Sequence, residues 1–229
     1  MPKLINNETV IMPLYFKAFI GIWMVLVIIV AFFYLPPAKG FADPESARII
    51  VFHLPCALIS VLGFLLSTLY AIIYLKKREQ IYDIKSSSSA ELGYLFTFIT
   101  VVTGMIFAQR QWGDAWNWDP RQTSILMLMI LYASYFVLRG AINSDITKAK
   151  ISAAYNIAAC AVMPHFVFIM PRMVASLHPT TTLFQSDSLS FEYRAVLIAS
   201  ALGLTAIFVW ILRLRIISSI IEFEKRRQY

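Results

Sequence analysis

The sequence predicts an all-α integral membrane protein, with six transmembrane helices and a Trp-rich extracytoplasmic loop. Three observations carry that prediction. The 229-residue chain is 59% hydrophobic and 14% charged, with a mean hydropathy of +0.69, far from the composition of a water-soluble domain. Apolar runs recur at approximately 15–35, 49–75, 92–108, 122–142, 151–171 and 195–217. A hydrocarbon core of roughly 30 Å needs about 20 apolar residues to cross it. Basic residues, finally, gather where alternate runs end.

Each run must be helical, because lipid offers a backbone amide no partner outside its own segment. The first follows Lys17 and lacks a small-residue cleavage site, so it reads as a retained anchor. The second carries His53 and Cys56. The third is the shortest, and the low-complexity stretch Ser86 to Ser89 before it reads as part of a loop over 76–91. The fourth follows a Trp-rich run at about 109–121. Pro164 and Pro171 interrupt the fifth, and the sixth leads into a basic tail. No linker or repeat marks a second unit, so residues 1–229 read as a single domain.

Six spans put both termini on one side, with the loops 76–91 and 143–150. That side collects 14 of the 20 basic residues and the other only 6. By the positive-inside rule both termini are cytoplasmic. The formal charge of +7 then lies on the cytoplasmic face beside anionic membrane lipid, and no nucleic acid is needed to explain it. Cys56 and Cys160 fall within spans and show no C-x-x-C or Cys/His zinc spacing. They read as small apolar packing residues.

This topology places Q-W-G-D-A-W-N-W-D-P, residues 111–120, outside the membrane between the third and fourth spans. Lone tryptophans anchor helices at membrane interfaces. Three of them at 112, 116 and 118, interleaved with Gly113, Asp114, Asn117 and Asp119, suit a flat ligand better. Trp112 and Trp116, at i and i+4, share a face if the stretch is helical. The chain has three histidines, and two gather at this same face. His53 sits about one turn into the second span, and His178 lies in the loop between the fifth and sixth. His165, beside Pro164 in the fifth span, reads as a packed residue bonding a carbonyl that the proline frees. Neutral imidazole ligates haem iron, and a porphyrin is flat, apolar and rimmed by two carboxylates. Guanidinium suits those carboxylates, and Arg48 and Arg121 are the outer arginines nearest His53 and the Trp run in sequence.

W-G-D-A-W-N-W-D at 112–119 resembles the Trp-rich WWD signature of haem-handling proteins in cytochrome c biogenesis. The chain is most similar to the cytochrome c maturation protein C family, also called haem exporter protein C. S-A-R-I-I-V-F-H-L-P at 46–55 looks like that family's entry to its second span. L-F-T-F-I-T-V-V-T-G at 95–104 and W-D-P-R-Q-T-S at 118–124 look like the flanks of its Trp loop. S-L-H-P at 176–179 resembles its second histidine segment, and E-K-R-R at 224–227 its tail. This sequence departs from the pattern at Ala115, where the family usually has a second Trp, and at Pro179, where Gly was expected.

The resemblance implies a haem-delivery subunit of the bacterial inner membrane and not an enzyme. His53 and His178 become axial ligands of haem b iron, with the porphyrin against Trp112, Trp116 and Trp118. Gly113 and Asp119 belong to the same platform, which also docks a periplasmic haem chaperone, and Arg48 and Arg121 contact propionates or partners. The family works with ATP-binding-cassette ATPase and membrane subunits; this chain has no Walker motif of its own. Two other readings remain at this stage, besides a six-span permease that would need an inverted repeat. One is a subunit of the other cytochrome c assembly system, which conducts haem across the membrane. The other is an electron-transfer haem b protein, for which three histidines are too few to hold two bis-His haems.

Overall fold

A computed structural model describes residues 12–38, 41–178 and 190–228. Among them are six helices long and apolar enough to cross a membrane, and the protein is an all-α, multi-pass membrane protein. Helix α1 spans Leu14–Ile29 and continues through one π turn, Val30–Tyr34. A short 3-10 turn, Ser46–Ile49, leads into α2, Ile50–Lys77. Then come α3, Gln80–Trp112, and α4, Pro120–Ala141. Helix α5, Asp145–Pro164, extends through a π turn, His165–Ile169, to a last turn at Met170–Met173. Helix α6 spans Phe191–Gln228.

Local chemistry sets the joints. Arg78 ends α2 in the left-handed conformation, φ 60°, with its N–H donated to the Tyr74 carbonyl at 2.7 Å. Asp119 caps α4 ahead of Pro120, which needs no hydrogen-bond partner at the first helical position. Ser144 caps α5. The expected loop over 76–91 shrinks to Arg78 and Glu79, and α3 begins at Gln80. The Ser86–Ser89 stretch is therefore buried helix, not loop.

The reason is visible in the packing. Ser67 Oγ donates to the Ser86 carbonyl at 2.7 Å, and Ser86 Oγ donates to the Ser67 carbonyl at 2.8 Å. Asn156 Nδ2, from α5, donates to both hydroxyls. Small hydroxylated side chains let helix backbones approach and bond across the gap. Gly63 and Gly93 continue that approach: a Cβ on Gly63 would stand 2.7 Å from the Gly93 Cα. Asp83, also in the former loop, is buried against Arg139 of α4, which donates Nη1 and Nη2 to it at 2.7 and 2.5 Å.

Helices α2 and α3 thus form a central antiparallel pair. Helix α5 packs on α2, and α4 on α3 and α5. Helix α6 covers the other flank through Phe208, Leu212 and Ile216. Helix α1 leans on that flank, where Trp23 Nε1 donates to the Ala199 carbonyl at 2.9 Å, and its last turns pack on the start of α2 through Ala31 and Val51. Cys56 is buried in the core and Cys160 half-buried at its edge, both as free thiols. His165 is exposed on the outer surface of the bundle and edge-on to Phe166. It is not the packed residue expected; it stands exposed at the start of the π turn that follows Pro164.

The bundle has a terminal end, where α1 begins and α6 finishes. The opposite end, carrying the Trp run, is the loop end.

Candidate functional site

At the loop end a cavity of about 400 Å³ opens between α2, α3, α4 and α5. His53, Trp116, Arg121, Arg172 and His178 line it, above an apolar wall that includes Leu58, Leu128 and Phe166. The two histidines, 125 residues apart in sequence, therefore face one space.

His53 lies in the first turn of α2. Its Nδ1 is 2.9 Å from the Thr103 hydroxyl of α3. Thr103 Oγ1 already donates its single proton to the carbonyl of Ile99 at 2.8 Å, shared with Thr100 at 3.1 Å. The hydroxyl can only accept from the imidazole. That fixes the proton on Nδ1 and leaves the Nε2 lone pair free. Gly104 makes room for the ring, since a Cβ there would stand 3.1 Å from His53 Cε1.

His178 is fixed by a carboxylate. Its Nδ1 is 3.0 Å from Asp119 Oδ1. The other Asp119 oxygen accepts from the Ser176 hydroxyl at 2.8 Å and the Leu177 N–H at 2.7 Å. The Arg121 N–H adds a bond of 2.9 Å to Oδ1. Burial works against a charge on Asp119. The Arg121 and Leu177 amides, the Ser176 hydroxyl and His178 outweigh it and hold the carboxyl below the usual range. Burial lowers the pKa of His178, against the pull of Asp119. The pair is thus an anionic carboxylate accepting from a neutral imidazole, again with Nε2 free. Trp112 stands edge-on to that imidazole, ring centroids 4.8 Å apart, and braces it from the side.

The Trp run is a loop beyond Trp112, so the shared helical face of Trp112 and Trp116 does not form. Helix α3 stops at Trp112 because Gly113 takes φ +88°, open to glycine at no steric cost. Gln122 then folds the loop closed, accepting from the Asn117 N–H at 2.8 Å and donating to the Ala115 carbonyl at 3.1 Å. The three indoles consequently separate. Trp116 lines the cavity. Trp112 packs between Phe107 and His178. Trp118, in the left-handed region at φ 54°, is 71% exposed and meets Trp116 edge-on.

Arg121 lines the cavity but Arg48 does not. The Arg48 guanidinium donates to the carbonyls of Phe32 and Leu35 at 2.9 and 2.8 Å and pairs with Glu45. It satisfies the carbonyls that the end of α1 leaves open. Arg172, from the last turn of α5, takes the second cationic position in the cavity. Sequence reasoning assigned no role to Arg172, Thr103 or Gly104. The last two stand within L-F-T-F-I-T-V-V-T-G at 95–104, so a signal was present without its meaning. Pro179 lies outside the described residues.

A protein-family model described as heme exporter protein C matches residues 3–229. The chain belongs to the heme exporter protein C family. A heme exporter protein C of Rhodobacter capsulatus is 27% identical over 186 residues, covering 80% of this chain and 76% of that one. The Paracoccus denitrificans protein of the same name is 28% identical, covering 77% and 76%. That of Escherichia coli strain K12 is 27% identical, covering 83% and 79%. A putative cytochrome c biosynthesis ccmC-like mitochondrial protein of Marchantia polymorpha is 32% identical over 127 residues, half of this chain and 56% of its own length.

Proposed function

We propose that this chain holds haem b at the loop end, between His53 and His178, and presents it to a periplasmic haem chaperone during cytochrome c biogenesis. One arrangement carries the reading: two imidazoles, each bonded through Nδ1, line one cavity, which leaves Nε2 of each to meet a metal there. Among the described residues no three His, Cys, Asp or Glu side chains converge as a cage for a bare metal ion. Two imidazoles suit a metal whose other positions a macrocycle already fills. Arg121 and Arg172 supply two guanidinium groups for two carboxylates on that macrocycle. The apolar wall below and Trp116 beside them suit its faces.

Haem is the cargo here, and this chain contributes grip and orientation. Thr103 and Asp119 fix the tautomers, Gly104 and Trp112 fix the ring positions, and Trp118 extends the surface outward. A docked chaperone would meet a held ligand, which raises the effective concentration of the reacting groups. The names of the relatives support heme export, and the basic bias supports a bacterial inner membrane with both termini cytoplasmic. We place ATP hydrolysis on ATP-binding-cassette partners, and assign residues 1–229 to a single haem-handling domain. The exposed position of His165, away from the cavity lining, supports one bis-His ligand site over a two-haem electron-transfer arrangement.

The test is haem content and Soret absorption of the detergent-purified chain beside its three His→Ala variants. His53→Ala and His178→Ala should lose most of the haem, and His165→Ala should keep it. Full retention by both of the first two variants would overturn the assignment.

A further inference from the structure

A second space, of about 310 Å³, lies at the terminal end, among α3, α4, α5 and α6. Its floor is α3, which turns Asp83, Ser87 and Glu91 into it. Two of the charges on that floor are already answered. Asp83 holds both terminal nitrogens of Arg139 from α4. Glu91 holds Arg215 from α6, Nε to Oε2 at 2.5 Å.

Four more charged side chains line the same space. Asp145 and Lys148 come from the start of α5, and Glu222 and Arg226 from the end of α6. Among the described residues Asp145, Lys148 and Arg226 have no ion-pair partner, and Glu222 has one oxygen, Oε1, taken by the Ser218 hydroxyl at 3.4 Å and by Arg215 at 3.9 Å, with Oε2 left open. Each of these two walls therefore offers one carboxylate and one cation with unfilled hydrogen-bonding capacity. A simple anion in this space would leave the acids unanswered, and a simple cation would leave the bases. A zwitterion answers both. Ile84, Phe136 and Phe223 add apolar surface beside the charges. The lining belongs to the helix ends, where a span leaves the hydrocarbon core.

We propose that this cleft binds the headgroup of an aminophospholipid, a phosphodiester that carries a primary ammonium. Lys148 and Arg226 take the phosphodiester, as cations donating to an oxyanion do. Asp145 and Glu222 take the ammonium. The apolar side chains carry the glyceryl end.

The full chain, delipidated in detergent, would be titrated with phosphatidylethanolamine and, separately, phosphatidylglycerol, with bound lipid counted by native mass spectrometry. Phosphatidylethanolamine should bind about tenfold more tightly, the scale of a charge-assisted hydrogen bond. The double variant Lys148→Gln/Arg226→Gln should lose both lipids. Asp145→Asn/Glu222→Gln should bring phosphatidylethanolamine down to the phosphatidylglycerol level and spare the latter. Only variants with wild-type helicity and a monodisperse profile are compared, and Lys148→Arg should retain binding. Displacement by glycerophosphoethanolamine would show that the headgroup alone suffices; retained lipid would show that the acyl chains anchor it. Both support the proposal. Equal binding of the two lipids by the wild type, no bound lipid, or a parallel response of the double variants would overturn it.

Discussion

The loop end and the middle of the bundle use similar polar residues to opposite ends. In the middle, Ser67, Ser86 and Asn156 turn their polar atoms toward one another, and nearer the terminal end Asp83 meets Arg139 face to face in the same way. Those bonds join helices. At the loop end Thr103 and Asp119 each take one nitrogen of an imidazole and leave the other free. Those bonds aim side chains. The difference teaches that a polar residue in a membrane protein is informative when its bonding is half complete and the open half faces a cavity.

Breaking the first kind of contact should cost stability. Asp83→Ala leaves the half-buried Arg139 without its carboxylate, which costs up to about 3 kcal/mol, the low end for a buried pair. Thermal unfolding in detergent should show a large fall in midpoint. Breaking the second kind should cost grip first, with a further loss of about 1 kcal/mol in stability where the residue also caps a helix, as Asp119 does. Asp119→Ala should weaken haem binding about 10- to 100-fold, the usual effect of losing a ligand's orienting partner, read as haem titration followed at the Soret band. Asp119→Asn, which keeps an acceptor, should lose less. Smaller still, Gly104→Ala places a methyl 3.1 Å from His53 and should shift the Soret position with partial haem loss. Gly113→Ala, with open space around it, should act only through its strained φ. That predicts a modest stability loss of about 1 kcal/mol and a normal Soret position.

The pH response sharpens the contrast further. Burial sets the His178 pKa below its ordinary value of 6.5. Its neutral form is therefore favoured in the folded protein, and the stability this contributes is fully present above the unfolded value. It is lost as pH falls through the lowered one. Asp119 remains ionised throughout that window, because its own pKa lies below the usual carboxylate range. Haem coordination should persist on acidification from pH 7 through 6.5 and fail only below it. Loss of the Soret signal centred at or above pH 6.5 would contradict the burial of that ring.

Hydropathy read the six helices well and their terminal ends poorly. Ser86 to Ser89, Asp83 and Asp145 look like loop residues on any transfer scale, yet they belong to helices. For Ser86 and Asp83, partners on α2, α5 and α4 supply what water would have supplied. At the site, His53, His178 and the Trp run were legible from residue type and motif. The division of labour among the indoles was not, because it depends on Gly113 ending α3 one residue after Trp112. Asp119 was visible as part of the run, but its hold on a ring 59 positions away required the fold. That Arg48 turns to the Phe32 and Leu35 carbonyls and not to the cavity was not legible, because sequence distance to His53 says nothing about which way a guanidinium turns.

Asp119 is also the residue that starts α4. A tug on the segment 176–178 pulls against the Ser176, Leu177 and His178 bonds together, all gathered on one side chain that also anchors a helix. Such a fastening has few intermediate positions. The His178 ring and the start of α4 therefore hold or loosen together.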